Sequence, residues 1–247
     1  MADDVSLSFV LLSEAALPDV DLLVSAAAAL GESVTADSGS EREISSFDLD
    51  GGGSLLIMLV DFPHPDAARM RKGLASPSDE EIDQMVAHYI VTATGLSEDA
   101  FERDVRLAKL TAAILRSSPA IAAMLGKGVV FHKAEFFANA VESSSDCPLL
   151  VCVDVTFASE GDERISMLTH GLVRYGREEF YVTASRHGKG GVDFILNMAS
   201  WMLQDREKHL PTGDTVGRTA EEKIVVQRVP NPTGDGPEVI RLDLDAG

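Results

Sequence analysis

The chain has 247 residues, 45% of them hydrophobic and 25% charged, with 40 acidic residues against 21 basic ones and a formal net charge of -19. A chain of this length and composition buries a core without covalent staples, so it reads as globular rather than disordered. The charge repels phosphate backbones and anionic membranes, which removes nucleic acid and membranes as expected partners. An acidic surface serves solubility, or it steers the molecule towards a basic partner protein.

Val5 to Leu12 begins as alternation and ends as an apolar run, which predicts a buried strand. Leu17 to Leu30 predicts a helix, with Pro18 in its first turn and Gly31 just past its end. Glu32 to Arg42 is polar and reads as an exposed loop. Glu43 to Leu49 and Ser54 to Val60 flank Asp50-Gly-Gly-Gly53 and predict a β-hairpin; the glycines lack the lysine and Ser/Thr of a phosphate loop. The prolines around His64 break the strand. Ser78 is placed to cap a short helix, Asp79 to Met85, and His88 to Thr94 is rich in strand formers.

Ser97 predicts the cap of a long helix to about Ser117, with Phe101, Val105, Ala108, Ala112 and Leu115 on one buried face. Pro119 to Leu125 reads as a second short helix, Val129 to His132 as a strand, and Lys133 to Val141 as a helix. Glu142 to Asp146 reads as the seam between two halves. Beyond it, Pro148 to Phe157 predicts a strand and Ala158 to Arg164 a charged loop. Glu179 to Thr183 predicts a strand. Gly188 to Gly191 predicts a turn into a helix from Val192 to about Lys208, with Trp201 on its flank. Leu210 to Gly217 reads as a loop, and Lys223 to Val229 with Val239 to Leu244 as a closing hairpin.

The mixed order of elements predicts an α+β protein with largely antiparallel sheets and helices packed on one face. It forms either one domain over 1–247 or two similar halves, 5–143 and 147–247. Cys147 and Cys152 are the two cysteines; an odd offset on a strand turns them to opposite faces, so no disulfide is expected between them. No Cys and His pattern has zinc spacing, and no metal or cofactor is expected. Acids stand near the N-terminus where a secretory signal carries basic residues, and no apolar run approaches a membrane span, so the expected location is the cytoplasm.

Ser166 to Thr183 is the densest cluster of glycine, histidine, arginine, tyrosine and acid in the chain. Its catalytic candidates, together with His187, are His170, Arg177 and Glu179, which would form a hydrolase-like site by long-range convergence. Its binding candidates are Arg174 and Tyr175, residue types that anchor interfaces. Arg186 and Lys189 add a basic, glycine-rich approach to a helix N-terminus, the best anion-site candidate. Each has a plain alternative as scaffold or solvated surface. Glu178 and Glu179, adjacent on a strand, face opposite ways and make no catalytic pair.

Thr169-His-Gly-Leu-Val-Arg-Tyr-Gly-Arg-Glu-Glu-Phe180 resembles a segment of the form T-x-G-[ML]-x-x-[FY]-G-x-x-E in a bacterial family of uncharacterised proteins, a domain of unknown function. Gly213-Asp-Thr-Val-Gly217 is similar to that family's second mark, and Cys147-Pro-Leu-Leu-Val151 to its strand start. The resemblance implies a soluble bacterial α/β domain and carries over no catalytic residue. The functional expectation is a non-enzymatic, acidic protein-binding module, of the immunity or accessory type for a bacterial toxin or secretion system. The alternatives are the hydrolase-like enzyme and a structural subunit of a larger assembly.

Overall fold

The computed structural model describes residues 5–37, 43–126, 128–144, 146–205 and 207–246. The architecture is α+β, in two compact units, Met1–Cys152 and Val153–Gly247.

The first unit is built on a seven-stranded antiparallel sheet. In chain order its strands are β1 (Val5–Leu12), β2 (Val34–Ala36), β3 (Ile44–Leu49), β4 (Gly53–Val60), β5 (Ala87–Thr94), β6 (Ala120–Leu125) and β7 (His132–Lys133). In space they run β2-β3-β4-β5-β1-β6-β7. The expected hairpin is β3 and β4, joined through Asp50, Gly51 and Gly52. Period-2 alternation sends Val10 and Leu12 of β1 to one face and Leu11 to the other. The first face packs under α1 (Val20–Ala29), α3 (Ala100–Arg116), α4 (Ala134–Ser143) and the helical turn α5 (Leu149–Cys152). The second face is covered by the irregular 61–72 segment and the short helix α2 (Asp79–Asp83). Ser78 caps α2 in a reciprocal capping box with Glu81, as its spacing predicts.

Several elements differ from the sequence expectation, each for a physical reason. Within the expected helix at Pro119 to Leu125, Ala120–Leu125 is a strand, β6. Its alanines favour helix intrinsically, but Ala122 and Ala123 are fully buried, and pairing with β1 decides the outcome. Within Glu32 to Arg42, residues 34–36 form β2 rather than loop, and Glu32 is buried against Arg106 of α3; residues 38–42 lie outside the described ones. Asp99, not Ser97, caps α3 by accepting from the Glu102 amide, while Ser97 accepts from the Asp99 amide. The boundary between units falls after Cys152 rather than at 142–146, because Val151 and Cys152 are buried in the first unit's core. Leu149–Cys152 is helical rather than strand, and Cys147 and Cys152 are not joined by a disulfide.

The second unit carries a five-stranded sheet. Its strands are β8 (Asp154–Gly161), β9 (Arg164–His170), β10 (Phe180–Ser185), β13 (Gln227–Val229) and β14 (Val239–Leu242), in the order β13-β14-β10-β9-β8. Only β10 and β14 run parallel. The expected charged loop at Ala158 to Arg164 is instead the tip of the β8–β9 hairpin, turned by Asp162 and Glu163 at positive φ. Helix α6 (Gly188–Leu203) packs on β9 and β10. Gly188 to Gly191 belong to this helix rather than to a turn. A Cβ on Gly191 would stand 2.7 Å from Met167 Cε, so glycine lets the helix approach the sheet. Beyond α6, β11 (Thr215–Val216) and β12 (Ile224–Val225) form a two-stranded ribbon.

No helix among the described residues is long and apolar enough to cross a membrane.

Candidate functional site

The 166–183 stretch is organised around one buried carboxylate. Glu179, 7% exposed, accepts a hydrogen bond from Thr169 Oγ1 at 2.7 Å, from the Gly171 amide at 2.8 Å and from the Val173 amide at 3.2 Å. Thr169 Oγ1 in turn accepts from the Phe180 amide at 2.8 Å. The arrangement is a clasp that folds the 3₁₀ turn Leu172–Tyr175 back onto β9 and β10. Gly171 at φ 120° and Gly176 at φ 71° enter and leave that turn in conformations other residues rarely adopt. Burial raises the Glu179 carboxyl above its ordinary range, while Thr169, the Val173 and Gly171 amides and the charge of Arg174 act against that rise. The threonine, the two glycines and the glutamate of the T-x-G…G-x-x-E pattern are thus the members of one structural tie.

The other candidates are held at separate places. His170 Nε2 lies 2.9 Å from Thr156 Oγ1 on the neighbouring strand. Arg177 donates to the carbonyls of Asp205 (2.7 Å) and Lys208 (3.2 Å), just past the C-terminus of α6. His187 stands at the opposite end of that 16-residue helix, so about 24 Å of helix separates the two, and they do not act on one substrate atom. The His187 ring faces Asp245 at 3.5 Å, and Ser185 Oγ donates to the same carboxylate at 2.9 Å. The serine, fully buried, donates to the aspartate and not to the imidazole, so the three make a tie and not a nucleophilic triad. Arg174 lies over the Tyr175 ring at 5.4 Å, beside the exposed Val173. Arg186 is exposed; the side chain of Lys189 lies outside the described ones. An anion at this helix start would meet the carboxylate of Asp245.

A groove of about 590 Å³ runs along the outer face of α6. The helix turns Val192, Ile195, Ala199 and Met202 into the core. At the complementary spacing it presents Asp193, Phe194, Asn197, Met198 and Trp201 to the groove. The facing wall is Leu210 with Thr215 to Arg218. That wall is fixed by two arginines. Arg228 binds Glu178 through two 2.7 Å bonds and the Leu210 carbonyl at 3.0 Å. Arg218 pairs with Glu222 and donates to the Leu244 carbonyl at 3.3 Å; its guanidinium holds the Glu222 carboxyl well below the usual range. Trp201, the one tryptophan of the chain, is 37% exposed, with Lys208 Nζ 5.1 Å from its ring centroid. The sequence pointed to this site only through Trp201 and the Gly213–Gly217 loop; their convergence is non-local.

In the first unit two histidines stand together among phenylalanines. The His64 ring lies 5.1 Å from Phe9, 5.1 Å from His88 and 5.5 Å from Phe131, and His88 Nδ1 is 2.9 Å from the Phe62 carbonyl. Burial lowers the His64 pKa, His88 lowers it further, and Asp66 acts the other way. A hollow of about 300 Å³ is walled by Glu81, Lys133, Arg116 and Glu135, which already pair with one another at 2.9 and 2.8 Å. Among the described residues no group of three or more His, Cys, Asp or Glu could hold a metal ion. Set against known proteins, the chain matches no family model, no curated protein and no solved structure.

Proposed function

We propose that the chain is a non-enzymatic binding protein that occludes a basic partner protein. The observation that carries this reading is the pairing of an open, partly apolar groove bearing an exposed tryptophan with side chains of catalytic type that are spent on structural ties. Trp is among the residue types that most often anchor protein recognition, and concave, partly apolar surfaces are where ligands seat. The charge supports the sign of the partner. Residues 1–152 hold 24 acidic and 10 basic side chains, a net -14, and residues 153–247 hold 16 and 11, a net -5. Such a field speeds encounter with a basic surface and excludes acidic ones. An inhibitor of immunity type, or an accessory to a bacterial toxin or secretion system, is a role with this chemistry, and the likeness of Thr169 to Phe180 to a bacterial family suits it.

The test is size-exclusion chromatography with light scattering on the full chain mixed with extract fractions from the native host. The expected result is a stoichiometric complex with a basic protein that weakens steadily as salt rises from about 0.05 to 0.5 M, as screening shortens the reach of the field. A host extract that yields no stoichiometric partner at the lowest salt overturns the proposal.

A further inference from the structure

Granting a basic protein partner, the α6 groove has a chemistry that selects what part of it can enter. Asp193 and Asn197 project from α6 on the groove side, both exposed, and no described group hydrogen-bonds to either side chain. The cation on the opposite wall, Arg218, is already neutralised by Glu222 and anchored on Leu244. Among the described residues the groove therefore offers an unpaired carboxylate at its Asp193 end, while the cation of Lys208 lies over the Trp201 ring at the far end. Its floor is apolar, with Phe194 and Leu210 buried and Met198 half-buried between them and the opening. An acidic ligand meets repulsion from Asp193 and gains nothing from Arg218. A ligand with one cation and an apolar neighbour satisfies both features.

The spacing sets the ligand's form. Asp193 to Met198 is five residues of helix and Asp193 to Trp201 eight, about 7.5 and 12 Å along the axis. An extended peptide advances about 3.3 Å per residue and points alternate side chains the same way. Side chains two and four positions apart on such a strand stand roughly 7 and 13 Å apart, which matches the two helix intervals. The facing wall includes β11, which among the described residues pairs with β12 alone, and an edge strand is a ready partner for an extended chain.

We propose that the α6 groove binds an extended segment of the partner in which a Lys or Arg pairs with Asp193 and an apolar side chain two positions away seats on Met198 and Val216, with Trp201 closing the far end. The inference rests on the binding-protein reading and assigns its contact site.

The test uses the full chain and its single tryptophan as reporter. Three capped pentapeptides are titrated at low salt: Ala-Arg-Ala-Leu-Ala, the same peptide with Glu for Arg, and the same with Ser for Leu. The expected result is a saturable change in Trp201 emission with the Arg/Leu peptide, at least tenfold weaker for each of the others. In Asp193→Asn the Arg/Leu peptide weakens about tenfold, while Asp235→Asn, an exposed acid outside the groove, leaves it unchanged. Equal response to all three peptides, a response undiminished in Asp193→Asn, or an equal response to spermidine overturns the assignment. Failure of the site and failure of the parent reading separate cleanly. A partner complex whose affinity is untouched by Asp193→Asn removes the groove and keeps the binding protein, whereas a host without any partner removes the reading itself.

Discussion

The two units use their interior ionisable side chains in different ways. In the first, these lie under or beside a sheet covered on both faces: Glu32 buried against Arg106, His88 buried and His64 half-buried beside phenylalanines. In the second, they tie chain segments together around a groove left open: Glu179 on the 3₁₀ turn, Arg177 on the end of α6, Arg218 and Arg228 on the groove wall. The difference follows from the sheets. Seven strands with helices on one face and α2 with the 61–72 segment on the other give the sheet apolar cover on both sides. Five strands with α6 as their long helix leave loops whose backbone groups need partners, and arginines and a glutamate supply them. The same economy leaves one face of α6 uncovered.

The largest expected effect comes from removing the clasp. Glu179→Ala leaves the Thr169 hydroxyl and the Gly171 and Val173 amides without their acceptor in a buried place. Each such orphan costs about 1–3 kcal/mol, so the second unit should lose at least about 3 kcal/mol. Trp201 lies in that unit and reports its denaturant unfolding directly. A loss below about 1 kcal/mol would show that the turn finds other partners and that the clasp is not what holds it. Glu179 also carries a pH signature. Its folded pKa is raised above the unfolded value near 4.5, so its contribution is full below that pH and declines as pH rises through the folded pKa. Glu179→Gln abolishes that decline.

In the first unit the matching experiment is Arg106→Ala. It strands the carboxylate of Glu32, 5% exposed, that Arg106 binds at 2.9 and 3.1 Å. Breaking a buried pair on one side costs about 3–5 kcal/mol; the partial exposure of Arg106 places the expected loss nearer about 2. The double change Glu32→Gln with Arg106→Met should recover most of it, because the penalty lies in the stranded charge. Amide hydrogen exchange in α3 is the readout, and an undiminished penalty in the double variant would assign the cost to lost packing instead.

How far the sequence disclosed this arrangement depends on the range of the signal. β1, β3, β4, β5, α1 and α4 were legible because alternation, a 3.6 period or a Gly-rich turn marks them locally. β6 was misread because Ala122 and Ala123 have no strand preference of their own and are strand only by pairing with β1. The β8–β9 hairpin was hidden because its turn uses Asp162 and Glu163 where glycine or asparagine is the usual sign. The stretch at 166–183 stood out correctly as special, but a buried structural acid and a catalytic acid look alike in one dimension. Only the three donors on Glu179 separate them. The groove was the least legible feature: Asp193 and Trp201 reach it by helical spacing, and its far wall arrives from residues 210 to 218 by folding alone.

The smallest expected effect returns to the paired histidines of the first unit and tests whether burial there carries a pH dependence of its own. The folded pKa of His64 lies below the ordinary value of 6.5, chiefly through burial, with His88 adding and Asp66 opposing. Over the window between that folded pKa and 6.5 the unfolded chain binds more protons than the folded one, so stability rises with pH there. The contribution is present above 6.5 and lost as pH falls through the folded pKa. Because His64 is only partly buried, the swing should stay below about 1 kcal/mol. His64→Phe preserves the edge-on ring contacts with Phe9 and Phe131 and removes the titration. Denaturant midpoints between pH 5 and 7.5, read by amide exchange or by tyrosine emission from buried Tyr89, should then flatten in the variant relative to the parent. A slope of the parent's size in His64→Phe would remove His64 as its source, and with it the idea that this ring, packed among Phe9, His88 and Phe131, sets the acid response of this unit.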